Sequence, residues 1–78
     1  MRQTELRVVV TFYTTCDAMA TESLCQSRAL PGRLIPVPRL LSADCGIAWS
    51  APVEAREAVI CALEAAGVEY AGVHELEI

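Results

Sequence analysis

The order of apolar segments along the chain is the feature that most restricts its fold. Four runs rich in β-branched and aromatic residues are typical of strands and lie at 6–12, 33–37, 47–50 and 68–76. Two segments with helical spacing, at about 15–28 and after Pro52, separate the first strand from the second and the third from the fourth. The 78 residues suffice for a single small domain over 1–78.

The order strand, helix, strand, strand, helix, strand is that of the ferredoxin-like split βαβ arrangement. We therefore predict an α+β, two-layer βαββαβ sandwich, in which a four-stranded antiparallel sheet carries two helices on one face. Another two-layer α/β sandwich is the alternative. Pro36 and Pro38 cannot donate ladder hydrogen bonds, so the second strand is predicted to lie at a sheet edge or to leave the sheet early.

Capping and breaking residues mark the helix boundaries. Thr14 followed by Asp17 predicts an N-cap with an acid at the positive end of the helix dipole. Pro31 with Gly32 is predicted to end the first helix, and Pro52 to take the first position of the second. Gly67 is predicted to cap the second helix. The spacing predicts two buried helix faces, made of Cys16, Met19, Ala20 and Leu24, and of Ala55, Val59, Ala62, Leu63 and Ala66.

The charge balance argues against several partner classes. Ten acidic and six basic residues give a formal net charge of −4, and all six basic residues are arginine. Because sequence-independent nucleic-acid binding depends on neutralising phosphates, we expect no nucleic-acid partner, and we expect Trp49 and Tyr70 to pack the sheet. No apolar run approaches the roughly 20 residues of a membrane-spanning helix. The N-terminal segment lacks the apolar core of a signal peptide, so we expect a cytoplasmic protein with no membrane partner.

Four cysteines are many for a chain of this length, and their spacing excludes common cysteine sites. They are Cys16, Cys25, Cys45 and Cys61, so no pair forms the CxxC of a zinc ribbon or a thioredoxin-type motif. Because no export signal is present, we expect four free thiols. The missing CxxC pairs argue against a resident metal, and we expect no cofactor. Free cysteine is usually a small buried apolar residue, so the question is which thiol is placed for chemistry.

The loop before the third strand carries the cysteine that the sequence singles out. Cys45 lies outside both predicted helix faces, and Gly46 is predicted to allow a positive φ and to leave the thiol uncrowded. Arg39 in the same loop and Arg33 on the strand leading into it would favour the thiolate, whereas Asp44 would oppose it. Cys45 is therefore the candidate nucleophile.

The other reactive residues have weaker cases. Cys16, in the first helical turn, is a candidate second thiol because the helix dipole favours an anion there, although its place in the apolar face favours packing. Cys25 and Cys61 lie within helices and are interpreted as packing or partly exposed residues. His74 is the single histidine, and no Ser/His/Asp or Cys/His arrangement is legible around it, so a structural role is expected.

Several segments together resemble a known family. Residues 10–12 are followed by a small polar turn and an alanine-rich helix, then by 31–39 (PGRLIPVPR) and 42–48 (SADCGIA). This pattern, from about 8 to 76, is similar to that of the small selenium/sulfur carrier-like family, also designated DUF3343. Its most specific part is the Ile-Pro-Val-Pro-Arg stretch followed closely by Ser-Ala-Asp-Cys-Gly.

The resemblance implies that Cys45 is a carrier thiol. Pro38, Arg39, Ser42 and Gly46 would shape the loop around it. The implied chemistry is a persulfide or selenopersulfide on Cys45, received from a donor such as a cysteine desulfurase and passed to an acceptor protein. Such a chain is a carrier rather than an enzyme that turns over, and one thiol suffices for it.

Two alternatives remain open. The chain would otherwise be a non-catalytic interaction or regulatory module that forms a homodimer or docks through its sheet, which a mean hydropathy of +0.38 and a proline-marked edge strand favour. A transient metal site formed by Cys45 with Cys16 or His74 would require these side chains to converge.

Overall fold

The strands and helices follow one another in the predicted order. The computed structural model describes residues 4–41 and 46–78. Over this part of the chain the elements are β1 (Leu6–Thr11), α1 (Thr15–Ser27), β2 (Arg33–Pro36), β3 (Ile47–Pro52), a 3₁₀ turn (Val53–Ala55), α2 (Arg56–Ala66) and β4 (Gly72–Glu77). The antiparallel sheet has the order β2–β3–β1–β4, so the ferredoxin-like α+β prediction is confirmed and β2 is an edge strand. Neither α1 nor α2 has the length and apolar character needed to cross a membrane.

The sheet has one face against the helices and one open face. Val10 and Trp49 are buried among core residues that include Cys25 of α1 and Leu63 of α2. Because successive residues of a strand point to opposite sides, the residues between the core positions form the open face. The open face, which is the face away from the helices, comprises Arg7, Val9, Thr11, Arg33, Ile35, Ala48, Ser50, Pro52, Gly72, His74 and Leu76.

The start of α1 is fixed locally by Thr14. Its Oγ1 accepts a hydrogen bond from the Asp17 backbone N–H at 3.2 Å and donates one to the Asp17 carboxylate at 2.9 Å. The predicted N-cap is thereby confirmed, since one N–H group that the first helical turn leaves without a partner is satisfied. The helix ends at Ser27, one residue before the predicted end.

The side of α1 that faces the sheet differs from the predicted one. The fully buried residues of this helix are Ala18, Thr21 and Cys25. Three residues predicted to be buried are exposed, namely Cys16, Met19 and Ala20. That prediction is wrong because α1 is apolar on more than one side, and the side with the small Ala18 and Thr21 allows a closer approach to the sheet. The Thr21 hydroxyl donates to the Asp17 carbonyl at 2.9 Å, so its burial leaves no polar group without a partner.

Pro52 does not begin the second helix, contrary to prediction. It is the last residue of β3, with φ −58° and ψ 145°, and the 3₁₀ turn separates it from α2, which begins at Arg56. The φ of proline suits both a first helical turn and a polyproline-like strand end, and here ψ takes the extended value. Gly67 caps α2 with φ 72°, as predicted. Of the predicted buried face of α2, only Ala66 is exposed.

Gly32 contacts the core and does not end α1. The helix has already ended at Ser27, and Ala29 takes the left-handed conformation with φ 55°. Gly32 has φ 143°, and a Cβ at this position would lie 2.6 Å from Trp49 Cε2. Glycine is required here because the Trp49 ring packs against its backbone.

The last strand is shorter than predicted. β4 begins at Gly72, and residues 68–71 connect it to α2. The Val68 N–H donates to the Leu63 carbonyl at 3.0 Å, and the Tyr70 hydroxyl donates to the Glu64 carboxylate at 2.9 Å. Because of these contacts, the first part of the predicted strand packs against the end of α2 and does not join the sheet.

Candidate functional site

One end of the sheet gathers the segments that the sequence singled out. There Thr11, at the end of β1, pairs with Ala48 of β3 and Gly72 of β4, and Pro36 of β2 pairs with Ile47 of β3. The connection from β1 to α1 and the loop from β2 to β3 both leave the sheet at this end, which we call the loop end. The fold therefore places the first turn of α1 and the two ends of the β2–β3 loop at the same end of the sheet.

A backbone hydrogen bond closes the base of the β2–β3 loop. The Val37 N–H donates to the Gly46 carbonyl at 3.0 Å, just beyond the last paired residues of β2 and β3. Within the loop, the Leu41 N–H donates to the Pro38 carbonyl at 3.0 Å and forms a turn. The loop is thus held at its two ends by the sheet.

The candidate nucleophile Cys45 and its predicted loop neighbour Ser42 lie outside the described residues, together with Ala43 and Asp44. Their predicted roles stay predictions. The described residue on the C-terminal side, Gly46, is exposed.

The described part of the loop leaves space for a reacting partner. Arg39 is exposed and has no hydrogen bond or ion pair with residues 4–41 or 46–78, while Pro38 is half-buried. Among the described residues, and apart from its chain neighbours, a Cβ at Gly46 would meet no atom within 4 Å. That Gly46 allows a positive φ stays a prediction. Its backbone carbonyl accepts the hydrogen bond from Val37 at the entry to β3.

Arg33 lies away from the loop end. It pairs with Ser50, and its side chain lines a groove on the open face together with Arg7. The four residues of β2 separate it from the loop by roughly 10 Å at the usual rise of a strand. The fold therefore does not bring Arg33 and Arg39 side by side.

Cys16 is exposed at the loop end. It is the second residue of α1, directly after the Thr14 cap, and it does not belong to the buried side of the helix. The expectation that Cys16 packs in the core is therefore wrong. An exposed thiol at this end of the sheet is consistent with the second-thiol hypothesis.

The other described cysteines differ in accessibility. Cys25 is fully buried, and burial raises the pKa of its thiol. Because the thiolate is the nucleophile, a buried protonated thiol is unreactive. Cys61 is exposed on α2, beside a groove that it shares with Arg56 and Ile60. Cys16, Cys25 and Cys61 are free thiols, as predicted for them.

His74 lies on the open face, on the other side of the sheet from α1 and Cys16. It pairs with Val9, and a Cβ at Gly72 would lie 2.9 Å from its Nε2, so the ring covers Gly72. Across residues 4–41 and 46–78, no group of three or more His, Cys, Asp or Glu side chains is placed to hold a metal ion.

Comparison with protein families identifies the chain. The family model described as "Putative Se/S carrier protein-like" matches residues 7–75, from β1 into β4. The chain belongs to this family. The matched range of the Se/S carrier-like family includes α1, the β2–β3 loop and all four cysteines, so the predicted resemblance is confirmed. Searches of the curated proteins and of the solved structures found no significant match.

Sequence reasoning did not find one pair of polar residues, Arg7 and Ser50. The Arg7 Nε donates to the Ser50 Oγ at 2.7 Å, although the two residues are 43 positions apart. Because side chains alternate between the two faces of a strand, the sequence of β1 is enough to predict that Arg7 lies on the sheet face opposite Val8. The pairing of β1 with β3 that brings Ser50 beside it depends on the tertiary fold and left no local signal.

Proposed function

We propose that this chain carries sulfur or selenium on Cys45, as a persulfide or selenopersulfide. The observation that carries the proposal is the family match over 7–75, because that family is described by Se/S carriage. The choice of Cys45 rests on the Ser-Ala-Asp-Cys-Gly segment, in which the thiol precedes a glycine that no other described residue crowds. The donor would be a protein such as a cysteine desulfurase, and the acceptor a protein with a reactive thiol, both in a reducing cytoplasm.

The transfer requires one thiolate on the carrier. The Cys45 thiolate attacks the outer sulfur of a donor persulfide, a new S–S bond forms at Cys45, and the donor leaves as a thiolate when its own S–S bond breaks. The proton on the outer sulfur stays there, and no external oxidant or reductant is consumed. An acceptor thiolate then removes the outer sulfur by the same exchange and regenerates the Cys45 thiolate. Selenium in the outer position follows the same steps.

The accessibility of the other cysteines supports this choice. Cys25 is closed to a donor protein because it is fully buried. Cys61 is exposed, but it lies on α2, outside the loop that carries the specific family pattern. Cys16 is exposed at the loop end and is proposed as a second thiol. Its attack on the inner sulfur of a Cys45 persulfide would form a Cys16–Cys45 disulfide and release hydrosulfide.

Arg39 is proposed to support the anionic form of the loaded carrier. Its exposed guanidinium has no carboxylate partner among residues 4–41 and 46–78, and it lies in the same loop as Cys45. Charge-assisted hydrogen bonds from arginine stabilise bound anions more than neutral donors do. We expect Arg39→Gln to slow sulfur loading severalfold, whereas Arg28→Gln, which removes an exposed arginine at the end of α1, leaves the rate unchanged.

Sulfur loading followed by intact-mass measurement tests the proposal. The full chain is incubated with a cysteine desulfurase and cysteine, and its mass is measured before and after a thiol reductant. We expect a gain of one sulfur atom that the reductant removes. The gain should disappear in Cys45→Ser and persist in Cys61→Ser, the matched variant of an exposed cysteine. An undiminished gain in Cys45→Ser, or no reductant-sensitive gain in the unmodified chain, would contradict the proposal.

The same measurement tests the second thiol. If Cys16 resolves the persulfide, the loaded chain converts with time to a species that lacks the extra sulfur and two hydrogen atoms. Cys16→Ser should abolish this species and prolong the lifetime of the persulfide. An unchanged lifetime in Cys16→Ser would contradict a role for Cys16 and leave the role of Cys45 intact.

The alternative, a module that docks through its sheet, would use the open face. Trp49 is 1% exposed and belongs to the helix side, so a variant there would report on folding. Ile35 is half-buried on the open face and is the better position. Two results together would favour the docking module over the carrier. The unmodified chain would take up no sulfur, and Ile35→Glu would reduce its self-association in a sedimentation experiment.

A further inference from the structure

Two arginines and a serine form a polar groove on the open face, away from the loop end. The groove has a volume of about 520 Å³, within the range of sites for small molecules. The groove is lined by Thr4, Glu5, Arg7, Arg33, Ile35, Ser50 and Ile78. Its arginines come from two different strands, β1 and β2, with β3 between them.

Ser50 stands between the two arginines. It pairs directly with Arg33 across β2 and β3, and it is diagonal to Arg7, whose own register partner is Pro52. Side chains at such positions on one face are neighbours. Ser50 is 1% exposed, and its Oγ accepts the hydrogen bond from Arg7 Nε. Its hydroxyl hydrogen has no acceptor within the two described ranges, so it is available to a ligand in the groove.

Arg7 is held in place before any ligand arrives. Its Nε donates to Ser50, and its Nη1 donates to Glu5 Oε1 at 2.7 Å, while its side chain is only 17% exposed. These contacts use two of the five N–H donors of the guanidinium group. The remaining N–H donors belong to a guanidinium group whose orientation is already fixed. A ligand that binds them therefore costs little side-chain conformational entropy.

Arg33 adds a second positive charge that no carboxylate neutralises. Its side chain is exposed and forms no hydrogen bond or ion pair with any part of the chain that the structure describes. The lining side chains, two arginines and one glutamate, sum to a formal charge of +1, whereas the side chains of the whole sequence sum to −4. The groove is therefore a local exception to the overall charge.

We propose that this groove binds an oxyanion, the carboxylate or phosphate group of a small molecule. The planar fork of arginine matches paired oxygen atoms of such groups, and the Ser50 hydroxyl supplies a further donor. Ile35 and Ile78 offer apolar walls to a short carbon skeleton next to the anionic group. Because the groove lies at the opposite end of the sheet from the β2–β3 loop, it does not depend on the proposed role of Cys45.

Titration followed by two-dimensional NMR tests this site on the full chain. Inorganic phosphate and succinate serve as the two probes, with chloride holding the ionic strength constant because salt screens exposed charges. We expect saturable shifts of the Arg7 and Arg33 Nε–H signals and of the Ser50 amide. Arg33→Gln should weaken binding about tenfold, because it removes charge-assisted hydrogen bonds. Arg33 is exposed, so this variant should keep the fold.

The control is Arg28→Gln, which removes the same charge at the end of α1, outside the groove. Saturation by phosphate alone would assign a phosphate ligand, and saturation by succinate alone a carboxylate ligand. No saturable shift with either probe would overturn the proposal. Equal weakening by Arg28→Gln and Arg33→Gln would also overturn it, because binding would then follow net charge and not the groove.

Discussion

The backbone of Gly32 lies directly against the indole ring of Trp49. A Cβ at Gly32 would be 2.6 Å from Trp49 Cε2 and 2.7 Å from its Nε1. The contact joins the segment before β2 to the largest fully buried side chain of the core. Within the described residues, Trp49 Nε1 is buried with no hydrogen-bond partner, so the ring is held by packing.

Gly32→Ala is expected to lower the free energy of unfolding by about 3 kcal/mol, because the new Cβ overpacks the Trp49 ring and φ is unfavourable. Chemical denaturation measures the loss. Gly67→Ala separates the two causes, since Gly67 has φ 72° but open space around it. It should cost about 1 kcal/mol from the left-handed backbone alone. Equal losses in the two variants would show that the contact with Trp49 contributes nothing.

Thr14→Ala is expected to destabilise the chain by about 1 kcal/mol, because the N-cap hydrogen bond to the Asp17 N–H is lost. The matched control is Ser23→Ala, on the exposed side of α1, which should change stability by less than about 0.5 kcal/mol. Urea denaturation followed by circular dichroism compares the variants. A Thr14→Ala protein as stable as the control would mean that the cap does not hold the start of α1.

Stability should decline at high pH through Tyr70. The hydrogen bond to Glu64, followed by desolvation and the Glu64 charge, raises the pKa of Tyr70 above its ordinary value of 10.0. A pKa raised by folding contributes stability that is fully present below pH 10 and is lost as the pH rises through the folded-state pKa. Glu64→Gln should lower the pKa of Tyr70, measured by tyrosinate absorbance. Glu69→Gln, an adjacent exposed carboxylate, is the control, and an equal fall in that variant would argue against the Glu64 contact.

Cys25 should resist alkylation while the fold is intact. It is fully buried and the pKa of its thiol is raised, whereas Cys16 and Cys61 are exposed. Iodoacetamide labelling at neutral pH, followed by peptide mass spectrometry, should modify Cys16 and Cys61 well before Cys25. In denaturant the three rates should become similar, because the difference arises from burial. Rapid modification of Cys25 in the native chain would contradict its place in the core.

Local chemistry was readable from the sequence where a feature depends on near neighbours. The Thr14 cap and the Gly67 cap each involve residues only a few positions apart, and both form as predicted. The order of elements sufficed for the ferredoxin-like architecture, because few sheet arrangements accommodate that order.

Features that depend on distant residues were not readable. Helical spacing placed Met19 inside, yet the sheet receives the side of α1 that carries Ala18, and Met19 stays 57% exposed. The φ of Pro52 fits both a helix start and a strand end, so the sequence predicts a helix start where the fold has the end of β3. At the candidate site, the sequence could indicate Cys45 and Arg39 as loop residues, but only strand register shows that Arg33 belongs to the groove with Arg7.

The two outer strands of the described sheet also affect the tendency of the chain to aggregate at high concentration. An outer strand offers unpaired backbone groups that can recruit a strand of another molecule and start aggregation. β2 has only four residues, one of them Pro36, which lacks an N–H to donate. β4 ends at the exposed Glu77, and Glu75 beside it is paired with Arg56 at 3.6 Å, so a second β4 strand would bring further carboxylates to the unpaired charge of Glu77. Both edges therefore oppose strand-to-strand association, which would keep concentrated preparations free of fibrous aggregates.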